Sequence, residues 1–378
     1  MPIVQSKTSL APLSRKKKGE SIPLRFNSKT SFSFANTEEF IEQVKSGNKA
    51  IRKVYAQSCQ VYEGVRLYPH GYAKSLKDFR FATHLTFELR TNFQYEEDML
   101  KKFKNLPYLK SLIIVIKGDW ALDVGILKKL GDGLRKLKSL KSLRIKVDQC
   151  KTSILKALKR SLRYLKPSSN LTLDFSKSES LDDEALRNLF NDVSIPKRLS
   201  NFGLDIANCY NVTAYGLNAV TFFIQSQRGL SGLCLNLLSF RHVEYRGLGH
   251  LFETLKQLPK LSYLKLNLSN SGSLSNGSLE ILSEALKEFE LLSRLTLNMS
   301  LCSEVDENAL NILLANLSQN KNMRNLSLDF RKCAGLGYPG LNILTSSIQE
   351  MKFLSKLALD VSRCEAANDI CLKTLQRA

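Results

Sequence analysis

The residues able to do chemistry in this chain fall at fixed intervals, and the interval decides what they are for. Cys150, Cys209, Cys302, Cys333 and Cys364 are candidate nucleophiles or metal ligands. A metal site needs ligands that converge from close spacing such as C-x-x-C, which is absent. Each of the five instead lies seven residues after the first residue of a short strand-like core, where other copies of that core are followed by Ser178, Ser271 or Asn92. Gly335-Leu-Gly337-Tyr-Pro-Gly340, with Asp360 twenty residues on, has the form of a dinucleotide fingerprint. Yet Gly340 matches Ala185, Gly216, Gly247 and Ala309 as the small residue of a recurring turn, and Pro339 suits the first turn of a helix. Asp174, Asp205, Asn236, Asn267, Asn298, Asp329 and Asp360 form a third set, three residues into each core. Paired carboxylates can do acid–base work. A column running through seven copies is no single catalytic constellation, and the scattered His70, His84, His242 and His250 add no base. The expectation is no enzyme, no metal, no cofactor and no small-molecule substrate.

These positions are set by a repeat. Cores start at Leu171, Phe202, Leu233, Leu264, Leu295, Leu326 and Leu357, a constant step of 31 residues. Earlier cores start at Leu85, Leu112 and Leu143, with steps of 27, 31 and 28. An eroded copy is expected at Val54. Apolar residues at positions zero, plus two and plus four of a core give the alternation of a strand with one buried face. Leu follows at plus fifteen in all ten copies: Leu100, Leu127, Leu158, Leu186, Leu217, Leu248, Leu279, Leu310, Leu341 and Leu372. Apolar residues at plus 18 and plus 22, such as Leu313 and Leu317, complete one stripe of a helix. Each unit is strand, turn, helix, turn, and only a stack of units buries a continuous core. The fold class is α/β, with a parallel sheet on one face and helices on the other. The Asp/Asn column then lies on the sheet face opposite the buried leucines.

Leu292-x-x-Leu295-x-Leu297, and Met323-x-x-Leu326-x-Leu328 after it, resemble the ribonuclease-inhibitor-like leucine-rich repeat family over roughly residues 50–378. The 31-residue variant is similar to leucine-rich repeat proteins of ciliated protists. The resemblance implies a horseshoe solenoid with a concave sheet and convex helices, one that binds proteins and catalyses nothing. It also implies that the cysteine position holds Asn or Cys whose polar group bonds the turn backbone, since unpaired buried backbone groups are costly. The concave Asp/Asn column becomes a candidate protein-binding face.

Charge separates the two ends of the chain. Of 56 Lys+Arg and 35 Asp+Glu in 378 residues, residues 1–167 hold 35 and 14, while residues 168–378 hold 21 and 21, so the net +21 belongs to the first part. Arg15, Lys16, Lys17 and Lys18 lie in residues 1–36, which show no repeat and read as an extended basic arm. Residues 37–84 read as a capping helix, TEEFIEQVKSGN, followed by the eroded copy; residues 85–378 carry the ten clear repeats. A second basic cluster comprises Lys128, Lys129, Lys136, Lys138, Lys141, Arg144, Lys146, Lys156, Lys159, Arg160, Arg163 and Lys166. With Leu155, Leu158, Leu162 and Leu165 buried, Lys156, Lys159, Arg160, Arg163 and Lys166 face outward on the helical side. Arg144 and Lys146 turn the sheet face basic as well. Such a surface calls for an acidic partner. The ciliate resemblance makes that partner tubulin, in a scaffold subunit of a large assembly; the alternative is RNA in a ribonucleoprotein particle, with Tyr164 the main stacking candidate. No run of 18 apolar residues and no secretory signal is present, so the expected place is the cytoplasm or a cilium. Residues 1–19, free of acid, also fit a mitochondrial presequence.

Overall fold

The computed structural model describes residues 65–67, 83–89, 100–116, 124–148, 152–167, 169–191, 195, 198–240 and 245–364. The chain divides into residues 1–52 and 53–378, and every described residue belongs to the second unit. The expected arm, the capping helix, the copy at Val54, the Arg15–Lys18 cluster, Cys150 and Leu372 lie outside the described residues.

Among the described residues, eleven strands pair in sequence order into one parallel sheet. They are β1 (Val65–Leu67), β2 (His84–Leu89), β3 (Ser111–Ile116), β4 (Ser142–Val147), β5 (Asn170–Asp174) and β6 (Asn201–Asp205). Then come β7 (Gly232–Asn236), β8 (Tyr263–Asn267), β9 (Arg294–Asn298), β10 (Asn325–Asp329) and β11 (Lys356–Asp360). From β5 onward each residue pairs with the one 31 positions away, Leu295 with Leu326 and Leu326 with Leu357. The strand ahead of β2 is offset differently, with Val65 opposite Leu85. Helices α1 (Val124–Lys136), α2 (Thr152–Leu162), α3 (Asp183–Phe190) and α4 (Ala214–Ser226) connect successive strands. So do α5 (Tyr245–Lys256), α6 (Asn276–Glu288), α7 (Glu307–Ser318) and α8 (Tyr338–Glu350), each helix packing on its neighbours.

The reason is the one the spacing predicts. A strand can bury its alternate leucines only under a helix, and a helix of this length buries only one stripe. Leu171, Leu173 and Phe175 of one unit and Leu186 and Leu189 of its helix are all inaccessible, and the pattern recurs along the stack. The plus-fifteen leucines from Leu100 to Leu341 are all buried. Helices start eleven residues after each core begins, at Asp182, Thr213, Ser275, Asp306 and Gly337; the first four accept a backbone N–H of the first turn with their side chains.

Two features carry no hydrophobic signal. Lys177, Asn208, Ser239, Asn270, Leu301, Lys332 and Arg363, again 31 apart, all have positive φ, between 52° and 63°. None is glycine, although a left-handed residue with a Cβ costs about 1–2 kcal/mol. The conformation lets the ladder run one turn beyond each strand: the N–H of Leu301 reaches the Arg331 carbonyl at 2.9 Å, and that of Asn270 reaches Ser300 at 2.8 Å. A second column, Ser231, Ser262 and Ser293, donates each hydroxyl to the carbonyl of the serine one repeat earlier, at 2.9 to 3.2 Å.

Candidate functional site

The basic cluster is built on α1, α2 and β4. Leu127, Leu130 and Leu134 bury one side of α1, and Leu155, Leu158 and Leu162 bury the same side of α2. The helices approach closely: a Cβ on Gly131 would stand 3.1 Å from the Ser161 backbone and 3.2 Å from the Tyr164 ring, and the Ser161 hydroxyl donates to the Leu127 carbonyl. Outward on the helical side are Lys128, Lys156, Arg160 and Arg163, all exposed, with Lys129, Lys136 and Lys159 half-buried. Lys138, Lys141 and Lys166 are exposed in the turns that lead into the next strands.

β4 divides the cluster. Its side chains alternate, so Arg144 and Lys146 stand on the opposite face from the helical lysines. The twelve residues therefore make two basic surfaces. Lys156 meets Glu184 at 3.8 Å and Arg144 meets Asp174 at 3.2 Å. The first pair is exposed and contributes little. The guanidinium of Arg135 lies 5.8 Å from the centre of the exposed Tyr164 ring, in the middle of the helical patch.

The Asp/Asn column does structural chemistry in every repeat. Each side chain accepts the backbone N–H two residues on: Asp174 from Ser176, Asp205 from Ala207, Asn236 from Leu238 and Asn267 from Ser269, at 3.1 to 3.4 Å. Asn298 takes the N–H of Ser300, Asp329 that of Arg331 and Asp360 that of Ser362, at 2.9 to 3.2 Å. This bond closes the turn that precedes each positive-φ residue. Asp174 is buried, held by Arg144 and by the Ser176 hydroxyl at 2.8 Å, so it offers no open acceptor on the sheet face. Arg331 spans Asp329 at 2.8 Å and Asp360 at 3.3 Å, and the Asp360 carboxyl is held below its ordinary range chiefly by its bond to the Ser362 side chain.

The cysteines are a ladder of the same kind. Cys209, Cys302 and Cys364 donate their thiols to the carbonyls of Phe175, Leu268 and Phe330, each 34 residues earlier, at 3.1, 3.3 and 2.9 Å. Cys333 donates to the Cys302 carbonyl at 3.6 Å. Ser271 does the same with its hydroxyl toward Phe240 at 3.0 Å. Burial pushes the Cys209 thiol up to about 11 and the Cys333 thiol up to about 12, far from a nucleophilic thiolate at neutral pH.

The glycine run is likewise protein-facing. A Cβ on Gly335 would overlap the Val305 carbonyl oxygen, one on Gly337 the Glu307 carboxylate, and one on Gly340 would stand 2.9 Å from the Asn311 side chain. The close approach these glycines permit is to the preceding repeat, which leaves no phosphate cradle. Among the described residues no three His, Cys, Asp or Glu side chains gather as a metal site, and no helix is long and apolar enough to cross a membrane.

A row of side chains just before position zero was only partly legible. Tyr263, Arg294, Asn325 and Lys356 are register partners on β8 to β11. The Arg294 guanidinium sits 4.8 Å from the centre of the Tyr263 ring. Arg294 and Asn325 sit just before position zero of their cores, and Tyr263 and Lys356 join them when the 31-residue step is read at this position as strictly as at the leucines.

The architecture now has a name. The fold is a leucine-rich repeat solenoid. Solved structures similar to it include the leucine-rich repeat protein LegL7 from Legionella pneumophila, at 15% identity over 83% of this chain and 96% of that one, with a TM-score of 0.49. A Bacteroides fragilis protein is similar at 15% identity over 78% and 72%, TM-score 0.44. The TLR13 chain of a complex with single-stranded RNA is similar at 16% identity over 80% of this chain and 43% of that one, TM-score 0.38. No family model and no curated protein matches the sequence. At these identities and scores the likenesses say nothing of activity or partner; the repeat itself, core by core, is what establishes the solenoid.

Proposed function

We propose that the chain is a non-catalytic scaffold of a larger assembly that docks on an acidic polymer through its early repeats. The observation that carries this is the helical basic face: Lys128, Lys156, Arg160 and Arg163 project beside one another where the two helices lock together at Gly131, against the neighbouring acids Asp132, 3.8 Å from Arg135, and Glu184, 3.8 Å from Lys156. Cations on rigid, adjacent helices act together on an extended anionic surface, where a lone charged face would simply be solvated. The Arg15–Lys18 segment adds charge in sequence terms. Microtubules are the polymer this reading names, because tubulin surfaces and tails are acidic; a cytoskeletal or ciliary location follows from it.

Pelleting with microtubules tests it. The full chain sediments with them in low salt and is released as salt rises, since exposed charge pairs are screened. Sedimentation no greater than that of a neutral protein of similar size would remove the proposal.

A specific observation favours RNA as the second reading. Tyr164, exposed and flanked by Arg135 inside the basic face, is the arrangement on which an unpaired base stacks. RNA affinity would then fall linearly on a log–log plot against salt, with a smaller slope after Lys156, Lys159, Arg160 and Arg163 are changed to Ala. A Tyr164→Ala variant would weaken RNA binding and leave microtubule binding unchanged.

A further inference from the structure

The sheet face of the last described repeats holds an open groove of about 700 Å³, lined by Tyr263, Arg294, Thr296, Asn325, Ser327 and Lys356 among others. It is remote in sequence from the basic helices, and it lies in the half of the chain whose charges balance. Two of its walls are cationic. Arg294 and Lys356 are both exposed, and no carboxylate among the described residues pairs with either. The acids of the same strands are engaged elsewhere: Asp329 and Asp360 face Arg331 and close their own turns. Lys265, exposed on β8 beside Thr296, adds a third cation at the groove's edge.

The groove is also ordered. The Tyr263 ring supports the guanidinium of Arg294. Tyr263 is itself fixed against the Cys234 thiol, and burial pushes its hydroxyl up to about 12, so it stays a neutral platform throughout the physiological range. Between the two cations, Asn325 presents an amide, and Thr296 and Ser327 present hydroxyls on the neighbouring row. At the far rim Leu357, the counterpart of leucines that are inaccessible elsewhere in the stack, is 43% exposed.

From this juxtaposition we propose that the groove binds an extended acidic peptide segment that carries two carboxylates three residues apart. The spacing follows from the sheet. Arg294 on β9 and Lys356 on β11 are two strands apart, roughly 10 Å at the usual strand separation. An extended segment in the polyproline II form turns once every three residues and rises about 3.1 Å per residue, so a segment crossing the strands brings side chains at i and i+3, on the same side and about 9 Å apart, to the two cations. The intervening residues meet the amide and hydroxyls of Asn325, Thr296 and Ser327, which suits small polar side chains and backbone. The guanidinium can take its carboxylate through two parallel bonds, while the lysine acts as a point charge. The groove reads acidity in a protein segment, whereas the basic helices meet a polymer surface, and neither proposal depends on the other.

The test uses the full chain and fluorescein-labelled peptides read by anisotropy. Glu-Ser-Gly-Glu, acetylated and amidated at its ends apart from the label, is the probe. Gln-Ser-Gly-Gln is its neutral counterpart, and Glu-Glu-Ser-Gly keeps the charge but not the spacing. The expected result is that the first binds at least about tenfold tighter than the second, the order expected from a charge-assisted hydrogen bond, and tighter than the third. Arg294→Ala and Lys356→Ala should each weaken it by roughly fivefold or more, with unchanged circular dichroism, in line with the loss of one such bond. Changing Lys156, Arg160 and Arg163 to Ala should leave it unchanged, which separates a failure here from a failure of the docking face. Absence of binding up to millimolar peptide overturns the proposal. So does equal affinity for the three peptides, or indifference to Arg294 and Lys356. A single-stranded RNA oligonucleotide that binds tighter than the peptide and is lost in the same two variants would overturn it in favour of a nucleic acid.

Discussion

The early and late repeats share one backbone plan and differ in what they place on it. At plus three, β4 carries Lys146 where β5 to β11 carry Asp or Asn. At plus one it carries Arg144 where β9 has Thr296 and β10 has Ser327. The late repeats spend plus three on closing their turns, and each side chain there accepts a backbone N–H that would otherwise be unpaired. A lysine accepts no such bond. At β4 that local bond is given up and surface charge is gained, on the sheet face opposite the basic helices. Turn closure and charge are thus alternatives at plus three, and β4 takes the second where β5 to β11 take the first.

At the core the two ends should behave alike. Leu158→Ala in α2 and Leu297→Ala in β9 both remove a buried leucine. Each should cost about 2–5 kcal/mol in chemical denaturation. If the early substitution cost less than 1 kcal/mol, the early repeats would not be packed as the late ones are. The plus-three position should separate the ends sharply. Asn298→Ala leaves the Ser300 N–H without its acceptor and should cost about 1–2 kcal/mol. Lys146→Ala should change stability by no more than a few tenths of a kcal/mol, as is usual for surface sites, and equal costs at the two positions would erase the distinction.

Two smaller effects belong to the late repeats. Leu301 is 47% exposed and sits at φ 63°, so glycine there relieves left-handed strain while adding backbone freedom to the unfolded chain. The balance should raise stability by up to about 1 kcal/mol in thermal unfolding. The thiol ladder predicts a pH effect in the late repeats. Burial raises the Cys209 and Cys333 thiols to about 11 and about 12 in the fold, so above pH 9 only the unfolded chain releases those protons. The unfolded state then binds fewer protons than the native one, and stability falls as pH rises from 9 toward 11. Replacing both cysteines with Ser should flatten that fall, measured as denaturation midpoint against pH.

The leucines made the fold readable. Position zero, plus two, plus four and plus fifteen are enough to place strands and helices, because burial leaves little choice of residue type there. The plus-seven cysteines were readable for the same reason, as a position that must satisfy a buried carbonyl. The left-handed column was not. Lys177, Leu301 and Arg363 have nothing in common as residue types, and the conformation is imposed by the pairing of adjacent repeats. Nor could the sequence show that the basic cluster splits across two faces, or that Asp174 is buried under Arg144, since both depend on how one repeat lies against the next. Arg294 and Lys356 are single cations in a neutral region of sequence, and only the sheet brings them to one groove.

The most direct test of the docking end is microtubule sedimentation with two matched variants of the full chain, across a salt series. In one, Lys156, Arg160 and Arg163 become Ala; in the other, Lys287, Lys321 and Lys332 of the late repeats do. The first variant should lose most of its low-salt sedimentation and most of its salt dependence, while the second behaves as the wild type. Equal losses in the two variants would mean that total charge, not its placement on α1 and α2, governs binding, and would contradict the account.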